Sequence, residues 1–138
     1  MSPRRVLILC TANSARSQMA EGLPRELGHG AVEVYSAGTK AAGVSPLAIQ
    51  AMAERGIDIS AQRSKHLSEY LVQPFDTVIT VCVDAAEACP VFPGRAERIH
   101  WSIPDPAMVS GTKDERLAAF RQARDQLETH LRAWLAGV

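Results

Sequence analysis

The sequence predicts an α/β fold, an open four-stranded parallel sheet flanked by helices, in one domain over residues 1–138. Three observations carry that expectation. Apolar runs of strand length alternate along the chain with stretches of three- and four-residue apolar periodicity. The first run, Val6–Leu9, is aliphatic without a break, as in a strand buried on both faces of a parallel sheet. A chain of 138 residues with 46% hydrophobic content has the size for one core and not for several domains.

Each element follows from local chemistry. Val6–Leu9 (VLIL) stops abruptly at Cys10. From Arg16 to Leu27, Met19, Leu23 and Leu27 recur at four-residue steps and make one stripe of a helix, which Pro24 interrupts. Ala31–Ala37 alternates, with Val32 and Val34 on one face, and Gly38 closes this second strand. Ser45-Pro46 reads as an N-cap with a first-turn proline, opening a helix over Pro46–Arg55 striped by Leu47, Ala51 and Met52 and ended near Gly56. Thr77–Val81 (TVITV) is β-branched throughout and predicts a central strand running into Cys82. Arg98–Ile103 predicts a fourth strand ending at Pro104-Asp105-Pro106. Leu117, Phe120, Arg124, Leu127, Leu131 and Trp134 stripe a long amphipathic helix over Lys113–Leu135.

Charge and cysteine count exclude several classes. Fifteen basic and fifteen acidic side chains cancel, so nothing suggests a nucleic-acid or membrane-surface partner, and any anion must be held locally. The N-terminal apolar stretch is too short for a signal sequence or a membrane span, and a cytoplasmic protein is expected. Three cysteines cannot close a disulfide framework. Their odd number points either to free thiols in a reducing compartment or to a working redox set.

Ligands of open α/β sheets bind at the carboxyl ends of the strands. Those ends carry Cys10, Ser36, Cys82 and Asp105. Between the first strand and the first helix lies Cys10-Thr11-Ala12-Asn13-Ser14-Ala15-Arg16-Ser17. A loop of small residues there turns its N–H groups inward at the positive end of a helix, a cradle for a tetrahedral oxyanion. Arg16 adds a planar fork for two oxyanion oxygens, and the same field favours the nucleophilic thiolate of Cys10. Asn13 tolerates positive φ and can brace the loop through its amide, while Ser17 can donate its hydroxyl to the thiolate.

Cys82 and Cys89 are separated by a strongly helical interior, DAAEA, which places both sulfurs near one helix face. A seven-residue rise of about 10.5 Å exceeds the roughly 7 Å Cα limit of a disulfide, so pairing requires the segment to unwind. Ordinary half-buried thiols are the alternative, and the spacing does not suit a metal site. Asp105, held between two prolines, reads either as a turn former or as a general acid facing the same edge. His29, His66, His100 and His130 are assigned no catalytic role, and Trp101 and Trp134 read as core or cover residues.

With these residues placed, the chain resembles the thioredoxin-coupled arsenate reductases, which share the low-molecular-weight protein tyrosine phosphatase fold. The resemblance rests on CTANSARSQMAEG at 10–22, SAG at 36–38, C-x6-CP at 82–90 and DP at 105–106, and it spans essentially the whole chain. It implies that Cys10 attacks arsenate held by the loop and Arg16 while Asp105 protonates the departing oxygen. Cys82 then attacks Cys10, and Cys89 resolves the transient Cys10–Cys82 disulfide to Cys82–Cys89, which thioredoxin reduces. No metal or organic cofactor enters this scheme, and a monomer is expected.

Some members of that family bind potassium through positions matching Asn13, Glu21, Ser36 and a carboxylate where this chain has Lys65. The resemblance therefore implies that the lysine ammonium takes the cation's place and that activity is independent of potassium. A solvated surface lysine is the alternative. Two rival functions remain at this point, a tyrosine phosphatase and a non-catalytic oxyanion or redox sensor. Against the first, Ala107 and Met108 stand where phosphatases of this fold carry aromatic residues. Against the second, there is no DNA-reading helix or basic patch.

Overall fold

The unbroken VLIL run forms the middle of the sheet. In the computed structural model, which describes residues 3–27, 30–83 and 91–137, the order is β1 (Arg4–Cys10), α1 (Arg16–Leu27), β2 (Val32–Gly38), α2 (Pro46–Ala53), β3 (Thr77–Thr80), β4 (Glu97–His100) and α3 (Lys113–Leu135). Short 3-10 turns occupy Leu67–Tyr70 and Pro106–Met108. All strands pair in parallel in the order β2-β1-β3-β4. Strand β1 therefore has neighbours on both edges, with Leu7 opposite Tyr35 on β2 and Val78 on β3.

Alternation along β1 builds two cores. Val6 and Ile8 face the larger one, with Met19 and Leu23 of α1, Met52 of α2, and Phe120 and Leu127 of α3. Leu7 and Leu9 face a smaller one with Tyr70, Phe75, Val78 and Phe92. Among the described residues the three α-helices share the first face, and aromatic rings close the second. Phe75 meets Phe92 edge-on at 5.6 Å and Tyr70 at 5.9 Å between centroids. The Arg5 guanidinium lies 4.8 Å from the Phe75 centroid.

Several boundaries differ from the sequence expectation. Strand β1 begins at Arg4 rather than Val6, because Arg5 donates its main-chain N–H to Asp76 Oδ2 at 2.7 Å and its side chain packs on rings. Strand β4 spans Glu97–His100 rather than Arg98–Ile103, with Trp101 adding one further bond to Thr80 O at 2.9 Å before the chain leaves the ladder. Strand β2 is displaced by one residue, β3 ends at Thr80 and α2 ends at Ala53. Ser45 stands at the N-cap of α2 without a side-chain cap bond, its own N–H being given to Ser14 O at 2.9 Å. Helix α1 runs through Pro24. The short helix expected between Cys82 and Cys89 falls on residues 84–90, outside the described residues, as does His29. Among the described residues, no helix is long and apolar enough to cross a membrane.

Helix α3 starts with a capping box. Thr112 Oγ1 accepts from the Glu115 N–H at 3.1 Å, and Glu115 Oε1 accepts from the Thr112 N–H at 3.2 Å. Arg124, on the apolar stripe, is buried and donates to Ala51 O at 2.7 Å and Glu54 Oε1 at 3.1 Å, tying α3 to the last turn of α2. Arg121 also grips Glu54, through Nε at 2.8 Å and Nη2 at 2.6 Å. The Arg121 hydrogen bonds first, and then those of Arg124, hold the Glu54 carboxyl at about 2 against an ordinary value of 4.5. A carboxyl depressed in the folded state stabilises above its unfolded value and loses that contribution as pH falls through its folded value. Glu54→Gln should therefore lower the melting temperature at neutral pH, with the difference from wild type shrinking from about pH 4.5 toward about pH 2, measured by circular dichroism at a series of pH values.

Candidate active site

The loop between β1 and α1 is turned inside out by its neighbours. The carbonyls of Thr11, Ala12 and Ser14 accept main-chain N–H groups from Lys40, Ala42 and Ser45 at 2.9, 3.1 and 2.9 Å. The Asn13 carbonyl accepts the Ser64 hydroxyl at 2.8 Å. With the carbonyls drawn outward, the N–H groups of Ala12, Asn13, Ser14 and Ala15 donate to no protein acceptor among the described residues. They precede the first turn of α1, the positive end of a helix. Such an arrangement can cradle a tetrahedral oxyanion.

Asn13 is the only non-glycine residue at positive φ among the described residues, at 48°. Its Nδ2 donates to Ser17 Oγ at 2.7 Å and Ser36 Oγ at 3.0 Å. Ser17 Oγ in turn lies 2.8 Å from Cys10 Sγ. Behind Ser36 sits a buried ion pair. Glu21 Oε1 accepts the Ser36 hydroxyl at 2.6 Å and Lys65 Nζ at 3.1 Å, and the ammonium also reaches Arg63 O at 2.7 Å and Ser36 Oγ at 3.5 Å. Lys65 is only 6% exposed, so it is not a solvated surface lysine.

Arg16 is buried and reaches the ends of two strands, donating to Ile103 O at 3.0 Å and Val81 O at 3.5 Å. Its Nη2 lies 3.6 Å from Asp105 Oδ2. The other Asp105 oxygen caps the Pro106–Met108 turn by accepting the Ala107 N–H at 2.9 Å, which fixes the carboxyl beside Arg16. Asp105 thus forms the turn and at the same time sets its carboxylate beside Arg16. Cys82 is fully buried just past β3. Leu9 pairs with Thr80, and the Val81 N–H bonds Leu9 O at 2.9 Å, so Cys10 and Cys82 stand at the ends of adjacent strands. Such strands lie about 4.8 Å apart. Cys89 lies outside the described residues.

Residues 5–138 match the low molecular weight phosphotyrosine protein phosphatase family. The chain belongs to this family. An arsenate reductase of Halalkalibacterium halodurans is 44% identical over 134 residues, covering 97% of this chain and 96% of that protein. A solved structure described as an arsenate reductase in the oxidized state matches with a TM-score of 0.82 at 33% identity, covering 97% of this chain and 98% of the other. A thioredoxin-dependent arsenate reductase from Corynebacterium glutamicum matches with a TM-score of 0.67 at 26% identity, over 95% of this chain and 61% of that one. The three helices and parallel four-stranded sheet described above are thus a phosphatase-family fold shared with arsenate reductases.

Among the described residues the histidines have other partners. His66 caps the Leu67–Tyr70 turn through Nδ1, His100 bonds Thr80 Oγ1 at 2.6 Å, and His130 stacks on Trp101. Trp101 and Trp134 cover the larger core. Among the described residues no group of three or more His, Cys, Asp or Glu side chains can hold a metal ion.

Three supports of the site escape sequence reasoning: Gln18, Gln62 and the close approach at Gly38. Gln18 is buried against the loop, although a glutamine in a first helical turn looks like an ordinary helix former. At Gly38, which also donates its N–H to Lys65 O at 3.0 Å, an added Cβ would overlap the Thr11 carbonyl oxygen and lie 2.9 Å from Cys10 O and Asn13 N. These are main-chain atoms of the loop itself, which cannot swing aside. Gly38→Ala is therefore expected to lower stability by about 1–3 kcal/mol and to weaken inorganic phosphate binding, read by urea unfolding and by phosphate-dependent thermal shift.

Proposed function

We propose that the chain reduces arsenate to arsenite through a relay of Cys10, Cys82 and Cys89, with thioredoxin reducing the final disulfide. The Cys10 thiolate attacks arsenic in arsenate held by the loop amides and Arg16, and Asp105 supplies the proton to the departing oxygen. The Cys82 thiolate next attacks Cys10 sulfur. The pair of electrons in the sulfur–arsenic bond stays on arsenic, which leaves as arsenite, and a Cys10–Cys82 disulfide remains. Cys89 then attacks Cys82, returning Cys10 as thiolate and leaving Cys82–Cys89 for a dithiol to reduce.

The observation that carries this reading is the placement of two cysteines at the ends of adjacent central strands. One ends β1 at the mouth of the amide loop, and the other is buried just past the end of the neighbouring strand β3. A phosphate-ester hydrolase needs only the first. Full-length similarity to arsenate reductases supports the substrate, and the Corynebacterium glutamicum relative supports thioredoxin as reductant. Working thiols also belong in a reducing compartment, so the cytoplasm is part of the proposal, as is a monomer. The loop residues Thr11, Ala12, Asn13, Ser14, Ala15 and Ser17 act in this scheme as the oxyanion cradle and its support.

The residues present do not fit a potassium site. The Lys65 ammonium already lies among Glu21, Ser36 and the Arg63 carbonyl, where a cation would need to sit. Like charges exclude each other there. Exchanging sodium for potassium at constant ionic strength should leave both turnover and melting temperature unchanged, and a marked gain in either would refute the substitution of ammonium for cation.

Coupled assay of arsenite production with thioredoxin, thioredoxin reductase and NADPH tests the relay. Wild type should turn over repeatedly, whereas Cys89→Ser should stop after one arsenite per chain with Cys10 and Cys82 joined, detectable by mass spectrometry. Repeated turnover by that variant would remove Cys89 from the scheme. Rapid aryl-phosphate hydrolysis without arsenite formation would instead favour a phosphatase.

A further inference from the structure

Gln18 is fully buried in the first turn of α1, and no step of the relay uses it. Its Nε2 lies 3.1 Å from Asn13 O, 2.9 Å from Asn13 Oδ1 and 3.0 Å from Arg63 O. Gln62 buttresses it from behind, with Nε2 at 3.0 Å from Gln18 O and 2.8 Å from Gln18 Oε1. The orientation of these amides is forced by their neighbours. Main-chain carbonyls only accept, so nitrogen faces them at both glutamines.

The orientation of Asn13 decides where a proton lies. Its Oδ1 receives the Lys65 main-chain N–H at 2.7 Å, which only donates, so Nδ2 faces Ser17 and Ser36. Ser17 Oγ consequently accepts from Asn13, and its own hydrogen is left to point at Cys10 Sγ, 2.8 Å away. A hydroxyl donated to sulfur favours the thiolate over the thiol.

We propose that Gln18, buttressed by Gln62, is a positioning residue that clamps Asn13 in its left-handed conformation and so turns the Ser17 hydroxyl toward Cys10. Gln18 joins the side-chain and main-chain oxygens of the same residue, which locks the amide to the left-handed backbone beneath it. The Lys65 N–H fixes Oδ1 alone, and the Ser64 hydroxyl fixes the carbonyl alone. Without the clamp, Asn13 is free to relax toward ordinary negative φ, which releases Ser17 and misaligns the loop amides.

This inference rests on Cys10 being the nucleophile, and its test reads the thiolate without arsenate. The charged groups facing the cluster are Arg16 and Asp105 beside the loop, Glu21 with Lys65 behind Ser36, and Arg25, whose guanidinium reaches Gln62 Oε1 at 3.4 Å. All are retained when Gln18 is replaced by a neutral residue. A changed pH profile in such a variant therefore reports the hydrogen-bond chain and not a lost charge.

The experiment is iodoacetamide alkylation of Cys10 in the reduced full-length protein as a function of pH, followed on the Cys10 peptide by mass spectrometry. Wild type, Gln18→Met and Gln62→Met are compared, with far-ultraviolet circular dichroism as the check of folding. Gln18→Met should alkylate about tenfold more slowly on the acid limb of the profile, where the rate follows the thiolate fraction, the equivalent of one hydrogen bond to the sulfur. Gln62→Met should move the same way by less. A Gln18→Met profile that superimposes on wild type overturns the inference. If Gln18→Met fails to fold, Gln62→Met decides, displacement supporting the clamp and coincidence with wild type overturning it. A wild-type Cys10 with the profile of a free thiol would instead refute the nucleophile reading on which the clamp depends.

Discussion

One left-handed residue, Asn13, is the constraint on which the site depends. A loop that drew every carbonyl outward with ordinary backbone angles would continue as a strand or close into a helix. The single reversal at Asn13 lets successive N–H groups converge. For an L-residue that conformation costs about 1–2 kcal/mol, less for asparagine. The side-chain amide is engaged by Ser17, Ser36, Gln18 and the Lys65 N–H, and the carbonyl by Ser64. At about 1 kcal/mol net for each buried hydrogen bond, these contacts outweigh the strain. Glycine would adopt the angle more easily, but it would leave Ser17 with nothing to orient it.

The buried pair of Glu21 and Lys65 follows from the same need. Taking two charges out of water costs several kcal/mol per ion, so such a pair stabilises a protein only when the remaining hydrogen-bonding groups are also satisfied. Here the carboxylate takes Ser36, Lys65 and Arg25, and the ammonium adds the Arg63 carbonyl. Among the described residues no buried side-chain nitrogen or oxygen lacks a partner. What the pair supplies is placement. Ser36 is held on β2 by a group from α1 and another from the loop before Leu67, so that three separate segments register on one hydroxyl. The strand order β2-β1-β3-β4 brings this support to one side of Cys10 and Cys82 to the other.

Legibility in the sequence tracks how local each determinant is. The loop from Cys10 to Ser17 is legible as a unit because its residues are contiguous and each has a distinct chemistry, and the sheet is legible because β1 is buried on both faces from Val6 onward and is apolar there. Strand ends are less legible. Arg4 and Arg5 join β1 through Thr77, Asp76 and a ring some seventy residues away, none of which leaves a mark in the local pattern. The capping box of α3 is an available signal, T-x-x-E at 112–115, that gives the helix start directly. Gln18 and Gln62 are the opposite case. Each looks ordinary within its own segment, and only the fold, which brings together positions 44 apart, makes a clamp of them.

If the proposed relay operates, it also determines where substrate discrimination resides. Arsenate and phosphate are tetrahedral oxyanions of like charge, and a cradle of four main-chain amides with one guanidinium recognises shape and charge alone. In the proposed scheme the loop therefore does not distinguish the two anions. The difference enters after binding. Arsenic(V) attached to one sulfur accepts an electron pair when a second thiolate attacks that sulfur, whereas phosphorus(V) does not leave by reduction under these conditions. In that scheme selectivity belongs to Cys82, just past β3, rather than to the loop. Zero formal net charge suits that proposed division, in which the pocket has to hold a small anion only long enough for the neighbouring thiol to test its redox chemistry.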